Sequence, residues 1–150
     1  MAKDITPNLW FDGNAKEAVG FYVSVFPESK IISTEYYPKE GLADFQKDMA
    51  GKVLTIEFSL MGNKFVAINA GPEFKFNESV SFSVPCKDQE EIDYYWGKFS
   101  SVPASEQCGW CKDKYGLSWQ IVPENMGELM KRPDSFAHMM QMKKIVIKDF

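Results

Sequence analysis

The sequence predicts an α+β fold of two similar modules, each β-α-β-β(-β), forming a curved mixed sheet around a cavity. Three observations predict it. Residues 5–26 read as strand, turn and helix. Residues 78–99 read the same way, at a constant offset of 73 residues. Each copy is followed by alternating strand-like stretches. Internal repetition constrains the whole architecture, so it outweighs local propensity.

The first strand is read over Ile5–Phe11, where Thr6, Asn8 and Trp10 alternate with Pro7, Leu9 and Phe11. Asp12-Gly13 signals a turn. Asn14 is placed as an N-cap, with Glu17 three residues on as its capping-box partner. Ala15, Ala18, Val19, Tyr22, Val23 and Phe26 then fall at helical spacing, and Pro27 stops the helix. Strands follow over Ser29–Tyr37, Val53–Met61 and Lys64–Ala70, the last two turned by Gly62-Asn63. In the second copy Ser79, Ser81 and Ser83 alternate with Val80, Phe82 and Val84. Asp88 and Glu91 repeat the cap pair, and Ile92, Tyr95, Trp96 and Phe99 form the helical stripe. The strands Glu106–Lys112 and Tyr115–Val122 close the module around Asp113-Lys114, with one strand lost or irregular near Ser100–Ser105. Aligning the closing strands matches Asn69 with Gln120 and Pro72 with Pro123, 51 residues apart. Module 1 is thus bounded at about 4–72 and module 2 at about 77–123. A tail over 124–150 holds two short helical pieces broken at Arg132-Pro133-Asp134, with Ile145-Val146-Ile147 as an added edge strand.

Composition narrows the function. With 17 Lys+Arg against 21 Asp+Glu, the chain lacks the basic excess of a general nucleic-acid binder. An apolar fraction of 45% suffices to fill a core. No apolar run reaches the roughly 20 residues that span a bilayer, and no signal-peptide core follows Met1-Ala2-Lys3-Asp4. Three cysteines, an odd number, fit a reduced compartment. The expectation is a soluble cytoplasmic protein that engages neither nucleic acid nor membrane.

A sheet with a helix on one face must present its other face to something else. Thr6, Asn8 and Trp10 line that face in one copy, and Ser79, Ser81 and Ser83 in the other. Three hydroxyls argue against a dry sandwich core, because buried hydroxyls need partners. Glu57 alternates onto the same face with Thr55 and Ser59. It reads either as a general base raised by burial or as the partner of a nearby lysine. Trp10, Phe65, Phe74, Phe76, Trp110 and Trp119 are candidates for an apolar lining. Lys39–Gly51 carries Leu42, Phe45 and Met49 at helical spacing, as a lid or as a surface helix. Cys108-Gly109-Trp110-Cys111 is a C-x-x-C, but it precedes a charged turn on a strand instead of opening a helix, so packing thiols are the favoured reading. His138 is the single histidine and lies outside both repeats, as a surface or packing residue. The methionines of the tail suggest an adaptable apolar surface, for a dimer or for its own chain.

The stretches NLWFDGNAKEAVGFYVSVFPESKI, GPEFKFNESVSFSV, DQEEIDYYWGKF, CGWCKDKYGLSWQIVPE and MMQMKKI together resemble the PhnB-like family, often labelled the 3-demethylubiquinone-9 3-methyltransferase domain. That family belongs to the vicinal-oxygen-chelate superfamily of glyoxalase I, bleomycin-resistance proteins and extradiol dioxygenases. The resemblance implies paired βαβββ modules, a small-molecule cavity and a homodimer. Metal-binding relatives hold a divalent ion with two side chains from each module, and those positions fall at Thr6, Asn69, Ser79 and Gln120, with slippage to Asn8 or Ser81. None is a carboxylate or an imidazole, and neutral oxygens are weak ligands for Zn²⁺, Ni²⁺ or Fe²⁺. The expected function is therefore binding of a small organic ligand by Trp10, Asn8, Asn69, Ser81 and Gln120, with no metal and no cofactor. A metal-dependent lyase, isomerase or dioxygenase is the alternative. The methyltransferase label is disfavoured: among 10 glycines no G-x-G-x-x-G-like run stands at a strand–helix junction.

Overall fold

The structure is a computed structural model that describes residues 3–150. Met1 and Ala2, part of the N-terminal reading above, lie outside the described residues. Two compact units form, one running through Lys75 and one spanning Phe76–Phe150, so the tail packs with the second. No described helix is long and apolar enough to cross a membrane.

Unit 1 contains β1 (Asn8–Phe11), α1 (Ala15–Val25), β2 (Lys30–Tyr36), β3 (Val53–Leu60) and β4 (Asn63–Asn69). They form an open mixed sheet in the order β1-β4-β3-β2, with β1 parallel to β4 and the other pairs antiparallel. The expected first strand is shortened: it begins at Asn8, because Pro7 has no N–H for the ladder, although its carbonyl accepts from Val66 (3.0 Å). Alternate residues Leu9, Phe11, Ile56, Phe58, Phe65 and Ala67 are buried on the face that α1 covers. Ala15 and Ala18 let the helix approach closely, and Val19, Tyr22 and Val25 complete its buried stripe. Phe58 and Phe65 stack at 5.5 Å in this core. Val23 is only half-buried; Val25 takes the core place expected for it.

The β3–β4 turn lies one residue earlier than expected, at Met61-Gly62 with φ of 49° and 81°. Two successive positive-φ residues make a two-residue turn whose twist matches that of the strands. Asn63 already belongs to β4 and donates its side-chain amide to Leu60 O. Strand β2 is the sheet edge and carries two register shifts, between Ile31 and Ser33 and between Glu35 and Tyr36. The 39–51 segment between β2 and β3 holds a 3₁₀ turn over Asp44–Met49 with Phe45 81% exposed. Its base is closed by Tyr37 N–H to Lys52 O at 2.8 Å.

Unit 2 contains β5 (Ser81–Cys86), α2 (Gln89–Phe99), β6 (Trp110–Lys112), β7 (Ser118–Pro123), α3 (Met126–Leu129) and α4 (Ser135–Met140). Its open sheet has the order β5-β7-β6, with β5 parallel to β7. The missing strand is replaced by a 3₁₀ turn over Pro103–Ser105. Strand β5 starts two residues after Ser79, because Asn77 Oδ1 accepts Ser79 N–H (2.9 Å) and holds that stretch in a turn. Asp88 caps α2 as expected, accepting Glu91 N–H at 2.9 Å, while Glu91 accepts Lys87 N–H. Ile92, Tyr95 and Phe99 are buried, and Trp96 is half-buried like its repeat partner Val23.

Asp113 organises this unit. It is 1% exposed, and its carboxylate accepts Tyr115 N–H, Leu117 N–H and the Trp119 indole N–H at 2.8–3.1 Å. Trp119 thereby lies flat on Phe99, ring centres 4.4 Å apart.

The tail is held by its own unit. Its helical break falls at Arg132–Asp134 as expected, with Asp134 at φ 57°. Ile145–Ile147 does not add a strand. Gln89 instead binds the segment from both sides, donating to Ile145 O and accepting from Ile147 N–H (both 2.9 Å), and a 3₁₀ turn follows. Cys108 and Gly109 donate backbone N–H to Met142 O and Lys143 O. Gly109 has φ 91°, and a Cβ there would lie 2.9 Å from Ile121 O. Gly109→Ala is expected to cost about 2–4 kcal/mol of unfolding free energy from backbone strain and the clash together. Denaturant unfolding measures it, and Gly97→Ala, whose Cβ meets open space, is the control.

Candidate functional site

The register of the parallel pairs decides which side chains share a face. In unit 1 Trp10 lies beside Ile68, and Ile68 beside Thr55. Asn8 lies beside Val66, Val66 beside Glu57, and Glu57 beside Ser33. These two rows form the face opposite α1. Trp10 donates its indole N–H to Gly71 O (2.8 Å) and meets Phe74 edge-on at 4.8 Å. Phe74 is 65% exposed, so an aromatic corner stands at one side of this face. Glu57 lies 3.8 Å from Lys64 Nζ, and Ser33 Oγ lies 3.5 Å from its carboxylate. Thr6 precedes the strand; its carbonyl accepts the Asn8 side-chain amide.

Asn69 points the other way. It is buried, and its Oδ1 accepts Ala15 N–H at 2.9 Å. The first helix is therefore capped from β4, and Asn14, the expected cap, makes no side-chain cap bond. The Asn69 carbonyl also accepts the Tyr37 hydroxyl (2.6 Å). Asn69 thus holds α1 on the sheet from the helix-covered side.

In unit 2 Ser81 pairs with Ser118, Ser83 with Gln120, and Gln120 with Trp110. Gln120 Nε2 donates to Ser81 Oγ at 2.8 Å. Ser118 is 1% exposed, and its hydroxyl has no hydrogen-bond partner among the described residues. Ser79, outside the strand, is exposed. Lys112, on the same face as Trp110, pairs with Glu78, and that ammonium holds the Glu78 carboxyl below its ordinary range. Of the aromatics singled out in the sequence, Trp119 is core and Phe65 is core; Trp110 and Phe76 are half-buried.

The closing strands of the two units are related by the register of their parallel partners. Ser83 lies 73 residues after Trp10, and their strand partners are Gln120 and Ile68. The equivalent of Gln120 is therefore Ile68, at an offset of 52, and Asn69 matches Ile121. The expected offset of 51 joined residues on opposite faces. Ser118 went unnoticed in the sequence, although the alternation of Ser118-Trp119-Gln120 puts it on the Gln120 face.

The donor set does not suit a transition metal. Of the positions expected for a metal, Thr6, Asn69, Ser79 and Gln120 with Asn8 or Ser81 as alternatives, none is a carboxylate or imidazole; Asn69 is engaged with Ala15 N–H, Gln120 is bonded to Ser81, and Ile68, the register partner in place of Asn69, has no donor atom at all. Among the described residues no three His, Cys, Asp or Glu side chains gather at metal-binding distance. His138 is exposed on α4. The three thiols are free; Cys108 sits in a turn at φ 38°, and Cys111 lies on β6. Burial pushes Cys86 and Cys111 up to about 12, with nearby carboxylates adding to it, and burial also raises Cys108. None has the lowered pKa of a redox thiol.

A family model described as 3-demethylubiquinone-9 3-methyltransferase matches residues 3–122. The chain belongs to this family. A PhnB protein from Bacillus cereus, whose name carries the same methyltransferase description, is 34% identical, with 80% of this chain and 99% of that one covered and a TM-score of 0.64. Protein PA1353 from Pseudomonas aeruginosa shares the fold at a TM-score of 0.58 and 15% identity, covering 81% of this chain and 98% of that one. No curated protein matches. The two-unit α+β architecture agrees with that of these PhnB-like neighbours and is consistent with the vicinal-oxygen-chelate superfamily.

Two outcomes test these assignments. Asn69→Ala is expected to lower unfolding free energy by about 1 kcal/mol through the lost cap, and Asn69→Asp, which keeps the acceptor, to lose less; urea unfolding reads both. The raised thiols set a pH limit. The folded chain keeps protons on Cys86 and Cys111 that the unfolded chain releases near 9, so their stabilisation is complete below about pH 9 and is lost as pH rises toward 12. The denaturation midpoint is expected to fall more steeply between about pH 8 and pH 11 in the natural chain than in a Cys86→Ala/Cys111→Ala variant.

Proposed function

We propose that this PhnB-like chain binds a small organic molecule on the helix-free faces of its sheets, without a transition metal. The observation that supports this most is the buried Ser118 hydroxyl, which lacks a partner beside the Ser81–Gln120 pair. An unpaired buried hydroxyl costs on the order of 1–3 kcal/mol, and a ligand's polar group would relieve it. Ser81 and Gln120 orient such a group by neutral hydrogen bonds. On the helix-free face of unit 1, the Trp10–Phe74 corner offers a ring edge and a ring face to an apolar part. Glu57, between Lys64 and Ser33, anchors that face.

Methyl transfer in the manner of a nucleotide-binding fold fits less well. At each strand–helix turn the chain's own side chain takes a first-turn N–H, Asn69 that of Ala15 on α1 and Asp88 that of Glu91 on α2, and neither turn carries the glycine-rich loop of a nucleotide cradle. The donor chemistry likewise disfavours a metal-dependent lyase, isomerase or dioxygenase.

Titration of ¹⁵N-labelled protein with benzamide, a ring bearing one amide, tests the reading. Saturable shifts confined to the Trp10 indole, or to Ser81, Ser118 and Gln120, are expected. For the second group, Ser118→Ala should weaken binding while leaving stability level or raised by up to about 1 kcal/mol. Shifts on α1 and α2 alone, or a stoichiometric metal ion that survives dialysis, would overturn it.

A further inference from the structure

A second feature lies away from both sheet faces. Where the tail folds back on the start of α2, unit 2 has a cleft of about 600 Å³, within the size range of small-molecule sites. Lys87, Arg132 and Lys148 all line it. They come from three separate segments: the residue before the α2 cap, the α3–α4 corner and the terminal 3₁₀ turn. Arg132 is the single arginine among the 17 cationic residues of the chain.

The lining carries three cations and one acid. Lys131, Lys144 and Lys112, outside the cleft, are each paired with a carboxylate. Lys87, Arg132 and Lys148 form no ion pair among the described residues. Asp88 is the one acid in the lining, and its side chain is engaged in capping α2. The helix end is therefore closed by the protein, and the attraction for an anion comes from the three side-chain cations. An anion in this cleft meets an excess of positive charge in the lining. Gln89, in its wall, clamps Ile145 O and Ile147 N–H, fixing the segment that leads into Lys148. Asn125 adds an amide to the lining.

We infer that this cleft is an anion site for the phosphate or diphosphate group of a small molecule. The guanidinium of Arg132 presents paired N–H donors to two oxygens of one tetrahedral group, and Lys87 and Lys148 supply point charges on either side. The site is independent of the sheet-face reading, since it shares none of its residues.

Titration of the full ¹⁵N-labelled chain with inorganic pyrophosphate at constant ionic strength tests it. The expected result is saturable shifts at millimolar concentration or below on the amides of Lys87, Asn125 and Lys148 and on the Arg132 side chain. Arg132→Gln should weaken binding about tenfold or more, as for loss of a charge-assisted pair of bonds. Lys131→Gln, one residue away but paired with Glu128 outside the cleft, should not change it. Absence of saturation, equal shifts with chloride at matched ionic strength, or an Arg132→Gln variant that binds as tightly as the natural chain would overturn the inference. Thermal melting of each variant without pyrophosphate shows that the fold is intact.

Discussion

Both units depend on the parallel pairing of a first strand with a closing strand. Parallel strands cannot be joined by a tight turn; they need a crossover, and α1 and α2 begin those crossovers. The pairing of β1 with β4 and of β5 with β7 then dictates everything on the two faces. A slip of one residue would exchange Trp10 with Leu9 and Gln120 with Trp119, turning core outward and polar groups inward. Register is thus the quantity that the rest of the architecture protects. Unit 1 protects it by tying Asn69 to the start of α1, and unit 2 by tying Trp119 to Asp113.

The two units reach the same layout with different chemistry. In unit 1 the core is aromatic and aliphatic, with Phe58 stacked on Phe65 under a helix whose Ala15 and Ala18 permit close packing. In unit 2 a short sheet of three strands leaves less apolar surface to bury. A buried carboxylate with three N–H donors compensates by fixing the large Trp119 ring against Phe99. Ile145 is fully buried and is held there by Gln89, so residues beyond the sheet serve as part of the second core.

Much of this was legible in the chain. The 73-residue repeat located both first strands and both helices, because each repeats a local pattern that sets its own period. The Asp88 cap and the break at Arg132–Asp134 were legible for the same reason: their determinants lie within a few residues. What failed were inferences needing contact between distant segments. Asn14 looked like a cap, but Asn69, 55 residues away, takes the role. Asn69 looked like the partner of Gln120, because a sequence offset carries no information on strand phase; only the register showed Ile68 in that place. Ile145–Ile147 had strand composition and found a glutamine side chain instead of a neighbouring strand. The cationic cleft joins residues 87, 132 and 148, a convergence that no local motif announces.

The two bulges of β2 bear on how this protein behaves when concentrated. The strand is an outer one and shows Ile31, Ile32 and Tyr36 to water, a composition that invites another extended chain to zip alongside. Each irregularity breaks the regular spacing of donors and acceptors along the strand. An edge so interrupted is a poorer template for fibre-like stacking than an unbroken one would be, whatever its greasy rim offers.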